Sequence, residues 1–246
     1  MMMNERAVSE AIGFVLILGI VVSGIGLVTL YGYPVLVKEQ SNTDVKNMER
    51  AMIVIQNDMK SLCFKNVPYK ETSLQVSGGT LEVVNSTNYG SSINITYGSD
   101  FRNYHPGALV YRSDQSTEVI ALENGAVMTR QDGSTGSAML AEPRWFYDDS
   151  TGTFVVYIMN ISTDTPMAKS GMGAVRMSLE GVDTEVHNAP GSVTVTYTGD
   201  SDNDLRVAWE NYLTGSLEMS GSGGVYTPPT VNKLVIKEYR IKIHDI

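Results

Sequence analysis

Apolar and polar positions divide the chain into three stretches with different periods. No charged residue occurs between Ala11 and Val37, a run longer than the roughly 20 residues that a helix needs to cross the hydrocarbon layer of a membrane. A cleaved secretion signal has a shorter apolar core, of about 7–15 residues, followed by a small-residue cleavage site. The pattern therefore predicts a transmembrane helix over residues 8–37, with Pro34 bending it near the membrane surface.

After residue 37 the apolar positions form a helical stripe. Residues three and four apart share one face of a helix, and the residues with this spacing are Val45, Met48, Met52, Ile55, Met59 and Leu62. The stripe is shorter than the about three to four heptads typical of a coiled coil, which is the alternative interpretation. We expect an amphipathic helix over residues 38–66 that packs on the domain after it, because flexible methionines suit an irregular surface such as the face of a sheet.

Apolar and polar residues alternate in short runs over residues 67–246. In the last run, Tyr239 and Ile241 lie on one face and Arg240 on the other, which is the period of a half-buried strand. Roughly ten such runs with turns between them indicate an antiparallel sandwich or barrel. The predicted fold class is α+β, with one long N-terminal membrane-spanning helix followed by a mostly antiparallel β-sandwich or barrel-like domain.

Four segments of this region carry less regular signals. We interpret Gly78–Gly79 as the turn of a hairpin and residues 205–213, LRVAWENYL, as a strand. Small residues dominate the middle of 162–191, which we interpret as a loop plus a strand, and 219–230 as a flexible excursion before the final strand. None of these segments marks a domain boundary, so we expect one domain.

Charge and cysteine content narrow the class of protein. The net charge is -9 and no basic patch is visible, whereas a nucleic-acid-binding protein normally presents a basic face to phosphates. Nucleic acid is therefore not an expected partner. The single cysteine, Cys63, excludes an internal disulfide, and we expect its side chain to be buried and apolar.

Three N-glycosylation sequons occur in the β-rich part of the chain, at Asn85 (NST), Asn94 (NIT) and Asn160 (NIS). Such sites are modified on the outer face of a membrane, so they favour an external C-terminal domain. The alternative is that Asn and Thr are simply common at turns and strand ends.

The search for reaction chemistry yields one acidic cluster. Asp200, Asp202 and Asp204 alternate in GDSDNDL and could direct three carboxylates at one Ca²⁺ ion. An EF-hand loop would next need glycine, where Leu205 stands, so the alternatives are a solvated turn or a weak calcium site. No nucleophile elbow, phosphate loop or His-based metal motif occurs in the sequence. We expect no enzymatic activity and no cofactor besides this weak Ca²⁺ site.

The N-terminal segment RAVSEAIGFVLILGIVV resembles the archaeal members of the type IV pilin and archaellin superfamily. The resemblance implies a leader peptide over residues 1–7, with Arg6 and Ala7 preceding the cut made by a prepilin peptidase and Val8 as the mature N-terminus. The turn ENGAV is also similar to one in euryarchaeal surface proteins with the same N-terminus. The resemblance implies helices that bundle into a filament core, where the amine of Val8 can neutralise Glu10 of its own or a neighbouring subunit.

Two hypotheses about function follow. The first is a structural and adhesive subunit of an extracellular filament, whose partners are the membrane, the prepilin peptidase, and further copies or related pilin subunits. The second is a membrane-anchored surface glycoprotein whose β domain binds a ligand or an envelope partner. Both place the chain in the cell membrane with an extracellular C-terminal domain, and filament assembly after processing distinguishes them.

Overall fold

The computed structural model describes residues 5–65 and 67–246, with side chains described from Ile12 onward. The chain forms two compact units, Met1–Thr43 and Asp44–Ile246. The described part of the first unit is helical: α1 spans Glu5–Leu27, a π-helical turn spans Val28–Gly32, and α2 spans Tyr33–Lys65 and so continues into the second unit.

A π-helical turn lies just before Pro34, where the sequence predicts a bend. The backbone N–H of Tyr33 donates to the carbonyl of Val28, five residues back. Proline has no N–H to donate and its ring crowds the preceding turn, so a regular α-helical pattern is difficult to maintain there. A π-helical turn is one of the recognised sites of irregularity in long helices.

The second unit contains fourteen strands among the described residues and one short helix. The helix α3 spans Arg206–Asn211 and is followed by a π-helical turn, Tyr212–Ser216. The strands are β1 (Tyr69–Val84), β2 (Ser92–Tyr97), β3 (Asp100–Tyr104), β4 (Ala108–Ser113), β5 (Glu118–Glu123), β6 (Ala126–Gln131), β7 (Ser137–Ala141), β8 (Phe146–Asp148), β9 (Thr153–Ser162), β10 (Met167–Asn188), β11 (Val193–Thr198), β12 (Ser220–Ser222), β13 (Val225–Thr227) and β14 (Lys233–Asp245).

These strands form two sheets. The nine-stranded sheet has the order β7-β6-β5-β4-β1-β10-β14-β9-β8, and the five-stranded sheet has the order β12-β13-β11-β2-β3. Pairing is antiparallel except between β14 and β9, where Lys233–Lys242 runs parallel to Thr153–Ser162. Neither sheet closes into a barrel among the described strands. The predicted α+β class, with a helix followed by a mostly antiparallel β domain, is confirmed.

Alternate residues of the nine-stranded sheet face two different cores. On one side, residues such as Val110 and Val156 pack against Ile93 and Val195 of the five-stranded sheet. On the other side, neighbouring residues pack against α2, and every residue of its predicted stripe is buried: Val45, Met48, Met52, Ile55, Met59 and Leu62. The prediction that the stripe packs on the β domain is confirmed. The layers are helix, large sheet and small sheet.

The interpretation of Gly78–Gly79 as a hairpin turn is wrong. β1 runs through both glycines, and the register against β10 shifts between Val76 and Leu81. Gly78 has a φ of 60°, which a glycine adopts without steric cost, so the pair forms a bulge inside one strand. A double glycine between two alternating runs is compatible with either arrangement.

Residues 205–213 are also not a strand. Leu205 precedes α3, and the buried residues of the segment are Leu205, Ala208, Trp209, Tyr212 and Leu213. This spacing of three and four residues is the helical period. The aromatic residues of the segment favour the strand interpretation, because aromatic residues are common in strands. The helix α3 carries Trp209 into the core.

Two glycine-rich segments are more ordered than the sequence indicates. Residues 167–188 form the single long strand β10, with β1 and β14 on its two sides, instead of a loop plus a strand. Within 219–230, β12 and β13 form a hairpin across Gly223 and Gly224, which have φ values of 66° and 90°. Glycine adopts these positive φ values without steric cost, which allows a tight two-residue hairpin turn.

Candidate functional site

The N-terminal helix presents unburied side chains from Ile12 to Gln40. Within the described residues, one helix is long and apolar enough to cross a membrane, and no residue of its most apolar stretch is buried. The exposed apolar side chains run from Ile12 to Leu36. The side chains of Arg6, Ala7, Val8 and Glu10 lie outside the described part of the chain, which gives only their helical backbone.

A buried glutamine fixes the second half of α2 to the β domain. Gln56 is 2% exposed, and its amide nitrogen donates to the carbonyl of Gly125 at 2.6 Å and to the carbonyl of Glu142 at 3.0 Å. Lys60, one turn further, donates to the same Glu142 carbonyl at 2.9 Å. The apolar stripe repeats every three or four residues, so it does not by itself fix the position of α2 along its axis. The hydrogen bonds of Gln56 form at one position of the helix only.

The carbonyl that Gln56 contacts belongs to the tight turn between β5 and β6. Asn124 and Gly125 have φ values of 49° and 74°, the combination of a type I′ turn, which favours Asn-Gly. The side-chain oxygen of Asn124 accepts a hydrogen bond from the backbone N–H of Met159 at 2.7 Å. The turn is therefore connected to α2 on one side and to β9 on the other.

The hydrogen bond from the Met159 N–H to Asn124 is one of several that cover the open edge of β9. Beyond its short pairing with β8, β9 has no strand on that edge among the described residues. Its backbone groups are instead bonded by other parts of the domain: the Trp145 indole donates to the Tyr157 carbonyl at 2.7 Å, and the Ile161 N–H donates to the Pro106 carbonyl at 2.7 Å. Covering an edge in this way prevents unwanted strand pairing.

The first residue of the turn, Glu123, is fully buried between the two sheets. Its carboxylate accepts three hydrogen bonds, from the Tyr89 hydroxyl at 2.8 Å, the Tyr197 hydroxyl at 3.3 Å and the Trp209 indole at 3.0 Å. The Asn203 amide in turn donates to the Tyr89 hydroxyl at 3.1 Å. These donors come from the β1–β2 connection, β11, α3 and the loop before α3.

Burial raises the pKa of Glu123 to about 7, because desolvation penalises the charged form, and the bonds from Tyr89, Trp209 and Tyr197 offset part of that penalty. Burial, and then the neighbouring carboxylate, raise the pKa of Tyr89 and Tyr197 well above their ordinary value. Glu123 has no exposed surface, and its hydrogen bonds connect separate elements of the fold. The segment Glu123–Gly125 thus bonds to all three layers of the domain, and we call it the junction turn.

The sequence signals for the junction turn were incomplete. The sequence ENG is a recognised turn signal, but nothing in it shows that the turn is buried. Gln56 lies beside the apolar stripe at a position that a helical wheel includes in the buried face, which is the one signal that could have identified it. The sequence pattern places Trp209 on a strand, whereas the structure places it on α3, so the pattern does not indicate its contact with Glu123.

The three sequon asparagines lie in different surroundings. Asn85 follows β1 and donates to the Thr163 carbonyl at 2.9 Å. Asn94 lies in the middle of β2, on the face opposite the buried Ile93 and Ile95. Asn160 lies within β9, with its amide 3.5 Å from a carboxylate oxygen of Glu238. The structure does not bring these positions together, and glycosylation of each stays a prediction.

The aspartates considered as a calcium site make separate contacts. Asp200 accepts from the backbone N–H groups of Gly90, Asp202 and Asn203 at 2.7, 2.7 and 3.0 Å. Asp204 accepts from the Arg206 guanidinium at 2.6 Å, and this partner lowers the pKa of Asp204. The described residues contain no group of three or more His, Cys, Asp or Glu side chains arranged to hold a metal ion. The segment is a turn held by hydrogen bonds.

The fold and the junction turn define a class of protein: one N-terminal apolar helix whose second half is packed into a β domain of two sheets. Residues 6–237 match DUF7289, a family of unknown function, and the chain belongs to that family. No curated protein and no solved structure matches the chain.

Proposed function

We propose that this protein is a pilin-type subunit of an archaeal cell-surface filament. The observation that supports it is the contrast along the N-terminal helices: the apolar side chains from Ile12 to Leu36 are exposed, whereas the stripe from Val45 to Leu62 is buried in the β domain. A helix with this division can serve first as a membrane anchor and later as a contact for other helices, with the β domain attached throughout.

In this proposal the precursor waits in the membrane with its β domain outside the cell. A prepilin peptidase cuts between Ala7 and Val8, and the helices of several subunits then pack together. The new amine of Val8 neutralises Glu10 of the same or a neighbouring subunit, since an unpaired charge in a medium of low dielectric is costly. Small residues, Gly13, Gly19, Gly24 and Gly26, allow the helices to approach closely.

The role of the β domain is structural and adhesive. Its sequons at Asn85, Asn94 and Asn160 carry glycans in this proposal, consistent with an external surface. The junction turn holds α2 against the large sheet, so in each subunit the part of α2 after Asp44 has one fixed position on its β domain. A filament built from repeated subunits requires this constancy, because every copy must make the same contacts as its neighbours.

The test is microscopy of surface filaments sheared from the native cell, with mass spectrometry of their subunits. We expect filaments that contain this chain, with a mature N-terminal peptide beginning at Val8. Filaments that lack the chain, together with an intact leader in the membrane fraction, would contradict the proposal. That result would support the alternative of a membrane-anchored surface glycoprotein.

A further inference from the structure

The long strand β10 has an open edge in its second half. Its pairing with β1 ends at Ser178, which lies opposite Tyr69, whereas its pairing with β14 continues to Asn188. From Val182 to Asn188, no strand among the described residues pairs with the other edge. Unlike the edge of β9, this edge receives no backbone hydrogen bond from a loop of the described chain. It therefore offers N–H and C=O groups to another strand.

The side chains along this edge have a symmetric order. The segment 182–186 reads alike in both directions from Thr184: an acid and then a valine follow on each side. Val182 and Val186 are 41% and 50% exposed, and they share one face of the strand with Thr184. Exposed valines on an open edge are unusual, because natural edges are commonly protected by charge or proline.

The two acids of the segment are already paired within the chain. Asp183 forms an ion pair with Arg240 on the neighbouring strand β14. Glu185 accepts from Arg102 of β3 at 2.9 Å. These pairs reduce the repulsion that two acidic strands would otherwise experience at close approach. The acids therefore do not protect the edge as unpaired charges would.

We propose that this edge is an interface between two copies of the chain, paired antiparallel about a two-fold axis at Thr184. The axis places Val182 opposite Val186 of the partner subunit, and the reverse pair forms at the same time. A two-fold interface uses the same patch on both subunits, so a strand that reads alike in both directions fits a second copy better than an unrelated strand. The interface involves the β domain only and does not depend on the filament proposal.

The register predicts which cysteines can form a disulfide. In the full chain in mild detergent, Thr184→Cys places two thiols at the axis, where directly opposite residues are close enough for a disulfide. Val182→Cys alone places its thiols four residues apart along the strand, roughly 14 Å, beyond the about 7 Å limit for Cα atoms. The native Cys63 is buried, and its pKa is raised to about 12, so it does not react.

We expect Thr184→Cys to give about tenfold more covalent dimer than Val182→Cys or Val186→Cys alone. A mixture of Val182→Cys and Val186→Cys chains with tags of different size should give the mixed dimer. Thr198→Cys, an exposed threonine of β11, measures random collision. Equal dimer from Thr184→Cys and Thr198→Cys would overturn the interface, and strong self-linkage of Val182→Cys would overturn its register.

A second variant tests the interface without cysteines. Val182→Lys with Val186→Lys places charge on both exposed valines, and circular dichroism should stay unchanged because neither side chain is in the core. We expect the light-scattering mass of the full chain to change from dimer to monomer. A wild-type chain that is already monomeric at high concentration, or one whose edge is occupied by a different protein, would overturn the proposal.

Discussion

Replacing Glu123 by glutamine should remove a large part of the pH dependence of stability. The ordinary pKa of the carboxyl is 4.5, and in the folded domain it is raised to about 7. Between these values the folded protein keeps a proton that the unfolded chain has released. Stability from this group is therefore fully present below pH 4.5, declines as pH rises to about 7, and is constant above that.

The size of the effect follows from the same two values. A difference from 4.5 to about 7 corresponds to about 3 kcal/mol, at roughly 1.4 kcal/mol for each pH unit. Glutamine keeps the shape and offers an oxygen to Trp209, and the hydroxyls of Tyr89 and Tyr197 can rotate to accept from its amide. The free energy of unfolding of Glu123→Gln, relative to wild type, should rise by about 3 kcal/mol between about pH 4 and about pH 8.

The two tryptophans of the chain provide the assay. Trp145 and Trp209 are both buried, with ring centroids 5.5 Å apart, and Trp209 donates to Glu123. Urea unfolding of the full chain in detergent, followed by tryptophan fluorescence at each pH, gives the free energies. Asp114→Asn, an exposed carboxylate in a surface turn, is the control and should leave the pH dependence unchanged.

A constant difference between Glu123→Gln and wild type across this pH range would refute the reasoning. It would mean that the three hydrogen bonds compensate fully for desolvation, so that Glu123 titrates at its ordinary value in the folded domain. A difference of the opposite sign would mean that the carboxylate is the favoured form in the folded domain.

The remaining predictions concern the helix. Gln56→Met should lower the free energy of unfolding by about 2 kcal/mol, because the buried Gly125 carbonyl loses its donor. The control Gln40→Met, on the exposed surface, should change it by no more than about 0.5 kcal/mol. Equal effects of the two variants in urea unfolding would contradict this prediction. A fragment 44–246 should unfold cooperatively, whereas 67–246 should bind a hydrophobic dye because the face under α2 is uncovered; equal melting and dye binding would show that the stripe is dispensable. Glu10→Gln should leave insertion and cleavage intact and sharply reduce filament yield, since an unpaired buried charge costs about 3–5 kcal/mol; wild-type filament yield would exclude the pairing with the Val8 amine.

The features predicted well from the sequence are those with a sustained period. The stripe from Val45 to Leu62 repeats over five helical turns, so its burial follows from one pattern. The alternation around Tyr239 and Ile241 likewise identifies a half-buried strand, and both residues are buried in the structure. In such segments every residue contributes to the same signal, and single exceptions do not change the interpretation.

The features that were missed depend on contacts between distant parts of the chain. Nothing near Glu123 in the sequence indicates that Trp209, carried by α3, donates to its carboxylate. The bulge at Gly78 depends on the strand opposite it, since β10 pairs with β1 on both sides of the glycines and the register shifts between them. Turn residues identify a change of backbone conformation, but the partner strands decide whether the chain reverses there.

The position of α2 on the large sheet also has a mechanical consequence. The buried stripe extends over about 25 Å, at 1.5 Å per residue from Val45 to Leu62. A pulling force applied at Asp44 along the axis of α2 would load these contacts in shear, with the Gln56 bonds sharing the load. Contacts loaded in shear must break together, whereas contacts that are peeled break one at a time. A β domain held this way resists tension applied along the length of the buried stripe.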